Sequence, residues 1–308
     1  MNKYPDAMKK VCPQAVLEEI ANAIPKKCKK NIIIIGSLAA GYNFFTGKDA
    51  MFVRTKDADC LLSPHLQAVN AGKSVAEQLL DAGWQFKTND KWKSPGKSTT
   101  KNRDLPAVRL FPPGRSKWFI ELLAVPKSSA DCKKEWIRLK TKHGYFGLCT
   151  FRFLSLTDYK PLSTEMGISI ARPEMMVLAN MLEHPKIGSA TMSALIASRE
   201  IKRSNKDLGR VLAIAHLSIR QNEDILLDWP DIWKTALQSR FPNDWLKLAH
   251  RAGSGLRKLL DSRQDLDEAH HTCINGLLAS NPPTLKQLQI AGARLLKDAV
   301  EPLEKLGN

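Results

Sequence analysis

The sequence lacks the material for a disulfide framework, a zinc site or a membrane-spanning helix. Its six cysteines (Cys12, Cys28, Cys60, Cys132, Cys149 and Cys273) form no C-x-x-C pair and accompany no histidine cluster. They read as scattered thiols of a reducing compartment. No apolar run approaches the length of about eighteen residues that a bilayer requires. The most apolar stretch is Ile32 to Ile35. Met1 to Lys10 is polar, with no apolar block ahead of a small-residue cleavage site. The expectation is a soluble cytoplasmic protein with no membrane partner.

Acidic residues are the other shortage. Asp and Glu number 31 against 47 Lys and Arg, a net charge of +16. Such a field attracts polyanions and speeds encounter with them, although a chain that is merely soluble and basic has the same composition. With 308 residues, 43% of them hydrophobic, a sizeable core is available, enough for two domains or one domain with a large appendage.

Periodicity predicts a helix over 13–24, a basic turn at 26–30 and a buried strand at 31–35. The strand's four consecutive isoleucines end at Gly36, where a short helix over 37–45 begins. A second buried strand is predicted at 58–62, a helix at 66–82 closed by Gly83, and a short strand at 84–87. Residues 91–103 read as a loop. Strands at 107–111 and 118–125 face each other across Pro112 to Arg115, and a further strand lies within 145–156. Helical patterns then occupy 175–182, 190–201, 208–219, 231–240, 245–260, 267–279 and 285–306. The fold expected is α+β: a mixed-sheet domain with flanking helices over 1–165, then a helical domain over 166–308, with the border inside 157–173.

Three features of the first part carry chemistry. Gly36-Ser37 follows a strand and opens a helix, where glycine permits close approach and free amides favour phosphate oxygens; such turns are also common as plain structure. Asp57 and Asp59 are spaced i, i+2 on a strand and so project from one side. Two carboxylates so close repel unless a cation lies between them, and hard oxygen ligands suit Mg²⁺ or Mn²⁺. A solvated strand edge is the alternative, opposed by the apolar run Cys60-Leu61-Leu62. Glu121, inside Phe119 to Leu123, either faces water or serves as a third metal ligand or proton acceptor.

Gly36 and Ser37, the Asp57 and Asp59 pair, and Glu121 on a later strand together resemble the DNA polymerase β-like nucleotidyltransferase superfamily, over roughly residues 31–125. The chain is most similar to its AbiEii and MenT-like toxin branch. Thr55 precedes the aspartate pair as Ser or Thr often does there. Arg172 to Ala179 resembles that branch's Pro-Glu-x-x-Leu-Ala helix start, and Lys206-Asp207-Leu208 its later basic-Asp-Leu element. Asn180 stands where the branch usually has a lysine, and Arg210 where its second downstream aspartate falls; Lys202, Arg203 or Lys206 are candidates to replace the lysine's charge.

The resemblance implies a nucleotidyltransferase fold, a nucleoside triphosphate substrate and an antitoxin protein partner. It also implies two divalent ions held by Asp57 and Asp59, with Glu121 completing the second metal site and Asp207 as a further catalytic residue. Gly36, Ser37, Thr55 and Lys206 would then contact the nucleotide. RNA, in particular a tRNA end, is the acceptor favoured by charge. Lys91, Lys93, Lys97, Lys101 and Arg103 form a basic loop, continued by Arg109, Arg115 and Lys117, in which Trp92 and Trp118 are candidates for stacking on bases. The rival readings are a catalytically impaired binding module and a transferase acting on a protein hydroxyl or small molecule. A metal hydrolase is disfavoured because no histidine joins the carboxylates; His65, the nearest in sequence, reads as a surface residue.

Overall fold

The computed structural model describes residues 9–47, 51–89, 91–114, 118–128 and 134–306. In chain order it forms β1 (Lys9–Val11), α1 (Pro13–Ala23), β2 (Ile32–Ile35), α2 (Gly36–Phe45), β3 (Val53–Thr55), β4 (Asp57–Leu62) and α3 (His65–Asp81). Next come β5 (Gln85–Phe86), β6 (Arg109–Phe111), β7 (Phe119–Ala124), β8 (Glu135–Thr141), β9 (Gly144–Thr150), α4 (Leu154–Thr157), β10 (Leu162–Ser163) and β11 (Ser169–Ile170). The remainder is α5 (Pro173–Glu183), α6 (Arg203–Gln221), α7 (Trp229–Arg240), α8 (Trp245–Arg251), α9 (Ser254–Asp261), α10 (Arg263–Ile274), α11 (Leu285–Leu295) and α12 (Glu301–Lys305). The architecture is mixed α/β, a mixed sheet followed by helices. No helix among the described residues is long and apolar enough to cross a membrane.

The sheet runs β10-β11-β2-β4-β7-β6-β5, with β9 beside the end of β7 and β8 outside β9. Strand β4 pairs antiparallel with β2 and parallel with β7, setting Asp59 opposite Ile35 on one side and Glu121 on the other. Alternation of side chains then assigns the two faces. Ala58, Cys60 and Leu62 of β4 and Ile120, Leu122 and Ala124 of β7 are fully buried. Helix α3 covers this face at Gly72, where an added Cβ would stand 2.9 Å from the Leu62 side chain. The opposite face carries Asp57, Asp59, Phe119 and Glu121. One cluster of buried apolar side chains extends from Val11 to Leu303, so sheet and helices share a core.

Several expectations require correction. Residues 190–201 are not a helix. They form a hairpin arm whose tip, Ala197 and Ser198, has φ of 45° and 68°, closed by reciprocal bonds between Ile196 and Arg199 of 2.9 and 3.0 Å. Its apolar spacing imitates a helix, but the arm is fixed by polar contacts to α10: Arg199 to Asp267 and Lys202 to Asp265, both 2.7 Å. The stretch 245–260 breaks at 252–253, where Gly253 donates to Glu304 at 3.1 Å. The 267–279 pattern begins earlier, at Arg263, with Ser262 as its N-cap, and the last contains a π-helical segment at Leu296–Val300. Strand β8 lies where no element is predicted from the sequence. The sheet continues to Ile170, and the first long C-terminal helix opens at Pro173.

Candidate active site

The acidic face becomes a site at the amino end of β4. Oxygens of Asp57, Asp59 and Glu121 all lie within 4.8 Å of one another, and no other cluster of this kind occurs among the described residues. The register explains the convergence: Asp59 and Glu121 are direct cross-strand partners, and Asp57 is on the same side of β4 as Asp59. Gly36 turns the chain from β2 into α2 with φ of +76°, and a Cβ there would approach Asp59 Oδ2 to 3.1 Å. Glycine is thus required for its backbone angle and for the space the carboxylate fills. Ser37, half-buried, follows at the amino end of α2.

The buried Thr55 hydroxyl lies 3.1 Å from both the Asp57 carbonyl and Asp57 Oδ1, to either of which it donates. It holds the aspartate in place. Burial pushes the Asp59 carboxyl up to about 8, helped by the charges of Asp57 and Glu121 and opposed by Arg210 and Lys206. A cation bound there would offset the repulsion from Asp57 and Glu121, the lesser part of the cause, and would displace the carboxyl proton. Glu121 is differently placed. Arg109, directly opposite on β6, donates from Nε to Oε2 at 2.9 Å and from Nη2 to Oε1 at 3.0 Å. The glutamate is therefore engaged by an arginine through both of its oxygens.

Helix α6 and the hairpin arm close a cleft beside these carboxylates, with about 740 Å³ of empty space open to solvent. Ser37, Arg54, Thr55, Lys56, Asp57, Lys206 and Arg210 form its polar side, and Met192, Leu195, Ile196, Ala213 and Leu277 much of its apolar side. Neither the Lys206 nor the Arg210 side chain makes a hydrogen bond or salt bridge within the described residues. Lys202, by contrast, is occupied by Asp265. Asn180 turns back on its own helix, donating to the Met176 carbonyl at 2.7 Å.

Asp207 stands outside the three-carboxylate cluster and pairs with His184 at 2.7 Å. Burial pushes its carboxyl up, but the His184 hydrogen bond and the nearby Lys206 and Arg210 outweigh this and hold it at about 2. It remains ionised beside the cleft as a partner of cations.

The basic loop is ordered rather than free. Gly96 exchanges backbone bonds with Tyr145 at 2.8 and 3.0 Å. Arg138 gathers the Ser98 and Thr100 carbonyls and the Asn102 side chain. Lys91, Lys93, Lys97, Lys101 and Arg103 stay exposed, and Trp92 is half-buried. Trp118 is unavailable for stacking on a base, since it is 6% exposed and packs edge-on against Trp84 at 5.9 Å. Arg109 belongs to the acidic site, and Arg115 and Lys117 lie outside the described residues. His65 is half-buried against the Val125 carbonyl at 2.8 Å, not on the surface.

No family model, curated protein or solved structure matches the chain.

Sequence reasoning leaves out Arg54, Lys56 and the arm from Met192 to Ile196, and assigns Arg109 to the basic loop instead of to Glu121. Lys56 was within reach, since it adjoins the aspartate pair in sequence. Arg109 and the arm depend on strand register and helix docking.

Proposed function

We propose that the chain is a metal-dependent nucleotidyltransferase of the DNA polymerase β-like fold, transferring a nucleoside monophosphate from a nucleoside triphosphate to an acceptor hydroxyl. The observation that carries this reading is the meeting of opposite charges across one cleft. Three carboxylates converge on the sheet, and one of them, Asp57, lines the cleft together with Arg54, Lys56, Lys206 and Arg210. A ligand rich in phosphate and accompanied by divalent metal satisfies both halves, and neither a simple anion nor a metal alone does.

The donor set fits Mg²⁺ or Mn²⁺: hard carboxylate oxygens close enough to share an ion, one of them disfavoured as an anion until a cation arrives. Bound there, the metal would supply Lewis acidity and charge neutralisation. The chain's own groups bind and orient. Amides at the start of α2 and the Ser37 hydroxyl receive phosphate oxygens. Lys206 and Arg210 draw the β- and γ-phosphates away from the acceptor and stabilise the departing pyrophosphate. The acceptor oxygen bonds to the α-phosphorus as the bond to the β-phosphate oxygen breaks, and its proton passes to solvent or to an aspartate oxygen. Rate enhancement comes mainly from positioning and fixed charge.

RNA is the acceptor we favour, because the exposed lysines of the 91–103 loop belong to the catalytic half of a chain of charge +16. The test is incubation with each α-labelled nucleoside triphosphate, Mg²⁺, total RNA and lysate protein. Label should enter RNA, fall steeply as salt rises, and vanish with Asp57→Ala in a chain of unchanged circular dichroism. Label on protein would redirect the acceptor, and full activity of Asp57→Ala would sink the assignment. A second reading, nucleotide binding without turnover, draws on the engagement of Glu121 by Arg109; magnesium-dependent thermal stabilisation by nucleotide with no labelled product would favour it.

A further inference from the structure

Glu121 already has a cation. Its two oxygens receive two parallel bonds from Arg109 at 2.9 and 3.0 Å, and the pair is fixed by the register of β6 and β7, which places the two residues face to face. The guanidinium is planar, always charged and matched to a carboxylate in both bonds. The glutamate is the more buried partner, its side chain 11% exposed against 40% for Arg109. Asp57 and Asp59 differ. Among the described residues no lysine or arginine forms a salt bridge to either; Asp57 is held by a neutral hydroxyl, and Asp59 rests over Gly36. A divalent ion placed against Glu121 would face a fixed positive charge and find that carboxylate's charge already compensated. Between Asp57 and Asp59 it would meet two carboxylates with no cation bonded to them.

The geometry points to a single divalent-cation position supplied by the protein, between Asp57 and Asp59, with Arg109 holding Glu121 in place of a second ion. This rests on the metal-dependent reading of the site. Arg109 is then a positioning residue that sets how many ions the chain binds by itself; any further ion enters as part of the metal–nucleotide complex.

The test counts Mn²⁺ bound to the full chain without nucleotide, from the electron paramagnetic resonance signal of the free ion. The wild type should bind one ion per chain, lost in Asp57→Asn. Glu121→Gln should leave stoichiometry and affinity within about twofold, because the glutamate is not a ligand. Arg109→Met should expose Glu121 and create a second site, which Arg109→Met combined with Glu121→Gln removes again. Should Arg109→Met fail to fold, Glu121→Gln decides alone: a tenfold loss of affinity overturns the inference. Two ions in the wild type, one of them lost in Glu121→Gln, overturn it while leaving the metal-dependent reading intact. No bound Mn²⁺ at all overturns both.

Discussion

Removing divalent cations should make the chain's stability fall as pH rises, the reverse of what most carboxylate-rich sites do, and Asp59 is the reason. Its carboxyl is pushed up from an ordinary 3.8 to about 8, first by burial and then by Asp57 and Glu121. Across the window from about pH 4 to about pH 8 the folded chain therefore retains a proton that the unfolded chain has released. The unfolded state binds fewer protons, so stability declines with pH, by at most about 1.4 kcal/mol per pH unit for one group. In a chain of this length about 1 kcal/mol moves the melting temperature by roughly 2 °C. The cation-free protein should thus lose on the order of 2–3 °C per pH unit in that window. A cation binds the deprotonated pair and opposes the trend. At a free concentration about 100 times its Kd it adds roughly 2.7 kcal/mol, and its effect should grow up to about pH 8. The assay is thermal unfolding with chelator or with saturating MnCl₂ at a series of pH values. Asp59→Asn should flatten the slope and abolish the cation-induced gain. A cation-induced gain that is the same at all pH values, or an unchanged slope in Asp59→Asn, would refute the assignment of the linkage to this residue.

Two further outcomes test the surroundings of the carboxylates. Gly36→Ala should lower the melting temperature and weaken Mn²⁺ binding, since it forces a left-handed angle costing about 1–2 kcal/mol and intrudes on Asp59 Oδ2 at 3.1 Å. Gly47→Ala, with φ of +73° and nothing within 4 Å, should show the first effect without the second, as read by thermal unfolding and Mn²⁺ titration. Lys206→Ala and Arg210→Ala should each weaken nucleoside triphosphate binding by roughly tenfold, the worth of one charge-assisted bond, and weaken monophosphate binding less. Calorimetry compares the two ligands, and an equal loss for both would remove the side chains from the β- and γ-phosphates.

Much of the sheet side was legible because strands carry their own rules. Four isoleucines between basic residues and Gly36 have no other buried solution, and the i, i+2 spacing of Asp57 and Asp59 commits both to one face. That Glu121 should meet them also follows once β4 and β7 are neighbours. What the sequence concealed is register. A tight turn centred between Pro113 and Gly114 would set Arg109 opposite Trp118, whereas Arg109 sits opposite Glu121, and that offset converts a surface arginine into the glutamate's partner. The hairpin arm was hidden for a different reason. Met192, Leu195 and Ile196 have helical spacing, but the apolar groups turn to the cleft, and the arm's backbone is held by His271, which bonds the Ile196 carbonyl at 2.9 Å, from a helix about 75 residues away in sequence. Local pattern cannot report a partner that distant.

Arg210 shows how the two kinds of information combine. Read along the sequence it is a departure, a cation at a position where an aspartate was expected. In the fold it lines the same cleft as Asp57, acts with Lys206 to draw down the charge-sensitive Asp59 carboxyl, and helps keep Asp207 ionised. A fourth carboxylate at that position would have added repulsion to a group already held near 8 by its neighbours. An arginine there instead offsets the acidic cluster, and under the proposed function it would offer the same charge to a substrate phosphate. Asn180, bonded to its own helix, leaves the cleft without the lysine that its position suggested, and Arg210 and Lys206 supply positive charge from the neighbouring helix α6. If the proposed function holds, the positive charge of the site comes from Lys206 and Arg210 and not from position 180.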